Sequence, residues 1–429
     1  MSGDTIVLFL GFAGLLVVGV PIAVALGLAA TAVIFHAGLG IMAVPTNTYT
    51  GIAKYPLLAI PVFVLAGLIF ERSGVAGRLV RLAMAIVGQR GGALGIVAVL
   101  VCMVMGGISG SGPADAAAVA TVMTASMAKA GYPRAFTASI IAAAGSTAIL
   151  IPPSIAFIVY SVLVPSASVP ELFAAGLIPG LLAGLSLMVP IVLLSRRHGF
   201  GATVDEDRPR FWPSLLDAGW GLLAPVIILG GLRSGAFTPT EAAAVAVFYG
   251  LAVGIFVYRT IDLRGLYRLL VEAAEISAVV MMIVALASVF AWAGSTLGAF
   301  DQFAKALLGL GLGQWGVMAL LMILLLFAGM FLDGVSIFLI LLPILVPIAM
   351  SFGWDLVWFG VLITMNIAIG QFTPPVAVNL MVTCKIAGIP MESTIRWVLW
   401  MVLAMGTAMA LVIAVPDLAL WLPRTLGYN

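Results

Sequence analysis

Two aspartates stand alone in long apolar surroundings: Asp115 within GGISGSGPADAAAVATVM (106–123) and Asp333 within GMFLDG (329–334). An ionisable group at membrane depth costs about 2.5 to 3.5 kcal/mol on insertion scales, so it is kept where it faces protein or a watery cavity and marks a site. Before Asp115 come Ser109, Gly110, Ser111, Gly112 and Pro113, and two glycines with a proline break a helix and leave hydroxyls and backbone carbonyls unengaged. Oxygens presented in that way suit a hard cation such as Na⁺, which transporters bind at broken helix ends. Asp115 also falls in the first turn after Pro113, where a carboxylate answers orphan N–H groups, so capping and site roles coincide there. Thr238-Pro239-Thr240-Glu241 has the same spacing and reads as a capping box alone.

Downstream of each aspartate a long apolar run is cut by Pro152-Pro153 or Pro374-Pro375, which removes two successive N–H donors and ends the preceding helix. Gly145-Ser146-Thr147 and Gln371-Phe372-Thr373 precede those cuts and are candidates to face the Ser-Gly and Asp-Gly turns. Ser154, Ser161, Asn366, Asn379 and Thr383 are polar in apolar context and either bind substrate or only join neighbouring helices, the commoner role. The layout puts no Lys or Arg at the midplane. An anionic substrate would then depend on helix N-termini, hydroxyls and amides, with bound cations offsetting its charge. Two intramembrane carboxylates could alternatively share a proton, as in an aspartyl protease. A Gly-x-Gly-Asp signature is absent at both, and the Pro-Pro breaks would then have no role. A channel suits paired hairpins less well than alternating access does.

The elements that must hold these residues are helices in lipid. The 429 residues are 63% hydrophobic and 8% charged, against about 25% charged in soluble domains, and mean hydropathy is +1.25. Apolar runs long enough for helical spans recur throughout, and no barrel-like alternation competes with them, so the fold expected is an all-α polytopic membrane protein. Net charge of +2 with no basic cluster gives no sign of nucleic acid. Cys102 and Cys384 are too few for a disulfide framework and have no nearby histidine for a metal site. The start, MSGDTIVLFLGF, lacks a basic n-region and reads as retained rather than as a signal peptide.

The segment 196–214 is the one soluble-looking interruption, and it separates two similar halves, 1–195 and 215–429. Gly106 and Gly329 are 223 apart, and Pro152 and Pro374 are 222 apart. FVLAG (63–67) echoes FAWAG (290–294), and Pro21 echoes Pro239. Each half is expected to hold five crossings, with 4–36 counted as two helices, plus one re-entrant hairpin and one discontinuous helix. The hairpins fall at about 92–129 and 314–351, the broken helices at about 134–165 and 355–386. Five is odd, so the halves are inverted, as in many secondary transporters. With the linker inside, only Lys54, Arg233, Lys305 and Arg424 of the 19 Lys and Arg face out, which obeys the positive-inside rule. The stretch 75–90, with Arg78, Arg81 and Arg90 among apolar residues, reads as an amphipathic interfacial helix, with a counterpart expected around Leu263 to Glu275.

With SGSGPAD (109–115), IPPSI (151–155), PLLAIPVFVLAG (56–67), FTPTEAAAVA (237–246), GMFLDG (329–334) and TPPVAVNL (373–380), the chain resembles the large membrane subunit of tripartite ATP-independent periplasmic (TRAP) transporters. That family lies within the ion-transporter superfamily, which includes the divalent-anion/sodium symporters. The resemblance implies an elevator-type, Na⁺-driven carrier in a bacterial inner membrane. It would take an organic acid, a carboxylate, from a periplasmic binding protein and work with a small four-helix membrane subunit supplied as a separate chain. A stand-alone Na⁺/dicarboxylate symporter needing no binding protein is the alternative. Na⁺ would be the coupling ion, with no covalent cofactor. The resemblance suggests one Na⁺ site from Ser109, Gly110, Ser111 and Asp115 facing Gly145 and Thr147, and another from Gly329 and Asp333 facing Gln371 and Thr373. Substrate would lie between the tips, near Ser111, Pro153, Ser154, Asn366, Pro374 and Asn379.

Overall fold

The computed structural model describes residues 3–88, 91–201, 209–332 and 334–428. Asp333, Arg90 and linker positions 202–208 therefore lie outside the described residues. Among those described the chain is helical, with no strand.

The first half runs through α1 (Gly3–Val17), α2 (Ile22–His36), α3 (Ala43–Ile52), α4 (Ala59–Arg72) and α5 (Val75–Val87). It continues with the hairpin arms α6 (Ala93–Ser109) and α7 (Gly112–Lys129), the broken helix α8 (Arg134–Ser146) and α9 (Ile155–Leu163), and α10 (Val169–His198). The second half comprises α11 (Phe211–Arg233), α12 (Pro239–Ala252), α13 (Leu263–Thr296) and α14 (Ala299–Leu308). Next are the hairpin arms α15 (Gln314–Phe331) and α16 (Gly334–Ser351), the broken helix α17 (Leu356–Gly370) and α18 (Val378–Ala387), then α19 (Ile395–Ala414) and α20 (Asp417–Thr425). Among the described residues, eight helices are long and apolar enough to cross a membrane. The sequence amphipathic helix, hairpin, broken helix, long span thus occurs twice.

Local chemistry explains the boundaries. Gly19, at φ +88°, and Pro21 divide 4–36 into α1 and α2, because glycine takes up the left-handed turn and proline can only begin the next helix. At α12 the Thr238 hydroxyl accepts the Glu241 N–H at 3.3 Å, while Glu241 Oε2 accepts the Thr238 N–H at 2.8 Å, a complete capping box. Helix α5 is docked rather than free: Asp217 of α11 accepts from Arg78 at 3.0 Å and from Arg81 at 2.6 Å, and the Arg78 guanidinium lies 3.6 Å over the Tyr258 ring.

One expectation is corrected. The counterpart of α5 is α14, not 263–275: both α5 and α14 begin after a left-handed glycine, Gly74 or Gly298, immediately before a hairpin. Residues 263–275 instead continue without interruption into the 34-residue α13, since no glycine or proline signal divides 266 from 293.

The core is built from the two broken helices. Phe136 to Ser146 of α8 and Val357 to Gly370 of α17 are buried without exception, which is the state of a helix apolar on every face. Helix α18 packs on α7 and α8, and α13 runs past α2, α3, α4 and α16.

Candidate substrate and cation site

The first hairpin turns at Gly110, whose φ of +61° ends α6 in a left-handed cap. A methyl group there would strike the Pro153 carbonyl oxygen, so glycine is needed both for the turn and for the approach of the first break. Gly106, one turn earlier, comes as close to Ala148: a methyl on it would sit 2.6 Å from the Ala148 Cα. Gly145 of α8 faces the start of α7, where an added methyl would meet Ala116 at 2.7 Å and the Gly112 carbonyl at 3.0 Å. The tip and first break expected to face one another therefore do so.

Within the tip, Ser109 donates to Asp115 Oδ1 at 2.7 Å, and the Ser109 hydroxyl oxygen accepts the Ser111 N–H at 3.1 Å. The carboxylate braces the turn through a serine rather than by capping α7 directly. Asp115 is 1% exposed, and its Oδ2 has no hydrogen-bond partner among the described residues. Thr147 is buried in the turn after α8, where its hydroxyl donates to the Ala144 carbonyl at 2.7 Å and keeps its lone pairs.

The second break crosses to the first hairpin. A methyl on Gly112 would lie 2.7 Å from Gln371 Oε1, 3.0 Å from Asn379 Nδ2 and 3.3 Å from Asn379 Oδ1. Both amide oxygens are buried and unpartnered among the described residues. Asn379 Nδ2 donates to the Ala142 carbonyl at 3.3 Å, and the Gln371 carbonyl accepts the Asn379 N–H at 2.9 Å. The second tip meets the same break from its other side: Gly329 and Gly370 pack backbone to backbone, and Ala377 N–H donates to the Met330 carbonyl at 3.2 Å. Thr373 donates to Ile369 at 2.6 Å, and the Pro152–Pro153 and Pro374–Pro375 bonds are both cis.

A cavity of about 310 Å³ lies between the tips. Its walls include Ser109 to Ala114 from the first tip, Gly334 and Val335 from the second, and the Gln371 side chain. The starts of three helices open onto it: α7 at Gly112, α9 at Ile155 and Ala156, and α16 at Gly334. No Lys, Arg, His, Asp or Glu lines it among the described residues.

Not every candidate reaches this cavity. Ser154 caps α9, accepting from Phe157 N–H at 3.4 Å and donating to the Ile149 carbonyl at 2.6 Å, so its hydroxyl is engaged within the break. Asn366 donates to the Met322 carbonyl at 2.8 Å and ties α17 to α15, away from the lining. Pro153, Pro374 and Asn379 are not in the lining either, and Asn379 stands behind Gly112. Conversely, α4 and α13 supply Val64, Gly67, Ile276 and Val280, which had no polar signal. Gly67 could have been found from its place in the repeated FVLAG and FAWAG; in the structure a methyl on it would lie 3.3 Å from the Ser109 Cα.

The family described as "Tripartite ATP-independent periplasmic transporter, DctM component" matches residues 9–418. The chain belongs to that family. Among its DctM relatives, the C4-dicarboxylate TRAP transporter large permease of Pseudomonas aeruginosa is 43% identical, covering 87% of this chain and 88% of that one. The sialic acid TRAP transporter large permease of Vibrio cholerae is 36% identical, with 98% of each chain covered. The isethionate TRAP transporter permease DctMQ of Oleidesulfovibrio alaskensis is 40% identical over 97% of this chain, which spans 66% of that relative. In fold the chain resembles the YdaH transporter of Alcanivorax borkumensis, whose crystal structure was described as having an unusual topology. The TM-score is 0.59 at 15% identity, with 89% of this chain and 87% of that one covered. This DctM-family chain is thus a multi-pass membrane component of a three-part transporter and not an enzyme, so the protease alternative falls away.

Proposed function

We propose that the chain carries an organic acid across a bacterial inner membrane, coupled to Na⁺, with the carboxylate bound in the cavity between the two hairpin tips. The observation that carries this reading is the convergence of three helix N-termini, α7, α9 and α16, on one cavity without a cationic side chain among the described residues. Helix N-termini carry a partial positive charge, which favours a carboxylate. About 310 Å³ lies at the small end of ligand pockets, a size suited to a compact acid.

The donor set fits coupling cations. Asp115 Oδ2, Gln371 Oε1 and Asn379 Oδ1 are buried oxygens without donors among the described residues, and such groups call for a partner. Ser109, Gly110, Ser111 and Asp115 with Gly145 and Thr147 would hold one Na⁺; Gly329, Gln371 and Thr373, with Asp333, would hold another. Bound Na⁺ would supply full positive charge beside a pocket lined by no cationic side chain among the described residues. The halves 1–195 and 215–429 would be inverted repeats joined by a cytoplasmic linker at 196–214, and the hairpin-bearing domain would move against a scaffold by an elevator motion. The names of the relatives, for C4-dicarboxylate, sialic acid and isethionate, fit an acidic substrate class. A small four-helix membrane subunit and a periplasmic binding protein complete the proposed assembly.

The test is uptake of labelled C4-dicarboxylates and related acids into proteoliposomes holding this chain and its small subunit, with binding protein outside. Uptake should need both the binding protein and an inward Na⁺ gradient. Uptake indifferent to Na⁺ overturns the coupling, and uptake without binding protein favours the stand-alone symporter.

A further inference from the structure

Away from the hairpins, α10 and α19 enclose a second and larger cavity, of about 660 Å³. One wall is the α10 stripe Ser186, Val189, Leu193 and Arg197; the other is the α19 stripe Trp400, Leu403 and Thr407. Both stripes keep helical spacing, so the cavity is a groove running along the two helices rather than a pit between loops. Ser186 and Thr407 donate at 2.7 Å to carbonyls of their own helices, Ala183 and Leu403, so the inner end of the groove makes no polar demand. Polarity is concentrated at the other end. There α10 finishes in Arg196, Arg197 and His198, and Arg396 in the first turn of α19 stacks over Trp397 at 4.4 Å. Arg197 is exposed and has no ion pair or hydrogen bond among the described residues, and no residue lining the groove is acidic.

The dimensions identify what fits. From Ser186 to Arg197 is eleven residues, about 16 Å at 1.5 Å per residue. That is about one leaflet of a hydrocarbon core roughly 30 Å thick. A cation stands at the water end, an aromatic ring beside it at interface depth, and aliphatic walls extend inward one leaflet further. That order is the amphipathic profile of a phospholipid. The exposed Val189, Leu193 and Leu403 leave the groove open along its length.

We propose that this groove is a binding site for an anionic phospholipid of the cytoplasmic leaflet, with one acyl chain between α10 and α19 and the phosphate on Arg197. The leaflet follows from the positive-inside rule applied to the arginines at this end. The site is separate from the transport cavity, so it stands or falls independently of the substrate and the coupling ion.

Trp400 in the groove wall provides the readout. The chain with its small subunit is reconstituted in phosphatidylethanolamine vesicles containing a low, equal fraction of either phosphatidylglycerol or phosphatidylcholine carrying brominated acyl chains. Subtracting the fluorescence of Trp400→Phe isolates Trp400. Attraction of an anionic headgroup by one arginine is worth about 1 kcal/mol; at that value Trp400 should show about fivefold higher occupancy by the brominated phosphatidylglycerol. Arg197→Gln should remove the preference, Arg197→Lys should keep most of it, and Ala404→Phe, which fills the groove, should reduce quenching by both lipids. Equal quenching in the wild type, or a preference that survives Arg197→Gln, overturns the proposal. So does a Trp400 that neither lipid quenches, the result expected where a second copy or the small subunit covers the groove.

Discussion

Gly112 and Gln371 meet across 259 positions of sequence: a methyl on the glycine would lie 2.7 Å from the glutamine's Oε1. The contact joins the tip of the first hairpin to the break in the second half, so one tip serves both halves of the site. Gly112→Ala should push Gln371 and Asn379 aside at a cost of about 1 to 3 kcal/mol for overpacking. Transport in proteoliposomes should fall well beyond what the small loss in thermal stability of the purified chain explains; unchanged uptake would show that the contact does not matter to function.

Gln371 should affect ions more than stability. Its oxygen has no donor among the described residues, so Gln371→Ala removes a buried group that costs rather than contributes folding energy. The melting temperature should hold or rise slightly, while the Na⁺ concentration for half-maximal uptake rises about tenfold, the effect of one charge-assisted contact worth about 1.4 kcal/mol. An unaltered Na⁺ dependence would remove Gln371 from the ligand set.

Ser109→Ala takes the donor from Asp115 Oδ1 and the acceptor from the Ser111 N–H together. Leaving such groups buried and unpaired costs about 1 to 3 kcal/mol each. A double-mutant cycle with Asp115→Ala, read by thermal unfolding in detergent, should show a coupling above about 0.5 kcal/mol. Additive losses would mean that the hydrogen bond contributes nothing to the turn.

Gly110→Ala should be the most damaging glycine change in the first tip. Its left-handed φ costs a side chain about 1 to 2 kcal/mol, and the methyl would press on the Pro153 carbonyl, which is backbone and has little room to yield. Expression as folded protein, followed by size-exclusion chromatography, should drop more than for Gly112→Ala, where the obstacle is the end of a side chain.

Tyr160 offers a stability test remote from the cavity. Its hydroxyl donates to the Leu356 carbonyl at 2.6 Å, and its ring packs edge-on to Phe338. Tyr160→Phe should cost about 0.5 to 1.5 kcal/mol, the net worth of one hydrogen bond, since the Leu356 carbonyl opens α17 and keeps its helical partner, with the apparent substrate affinity unchanged.

The breaks and tips were legible because glycine and proline act locally: Gly110 and Pro152-Pro153 disrupt a helix whatever surrounds them. The all-helical membrane fold followed from composition for the same kind of reason. Helices α3 and α14 were not foreseen, being ten residues each with mixed polarity, too short for a periodic signal to stand out. The extent of α13 was missed because an amphipathic front and an apolar rear looked like two elements. Partner choice was the least legible. Nothing in the sequence says that Gln371 reaches Gly112, that the Ser154 hydroxyl is taken up by its own loop, or that Asn366 holds the Met322 carbonyl, because each depends on how distant helices are stacked. Asp333 lies outside the described residues, and its role rests on the sequence alone.

The hydrogen bonds from Asn379 to Ala142 and from Thr383 to Ala138 bear on how the protein is made. Helix α8 is buried on every side, and part of its cover is α18, which leaves the ribosome some 240 residues later. During synthesis the first half must therefore wait in the bilayer with its central helix uncovered. Each half alone is an unfinished object, and a chain severed in the linker should recover a native centre only when both fragments are inserted together.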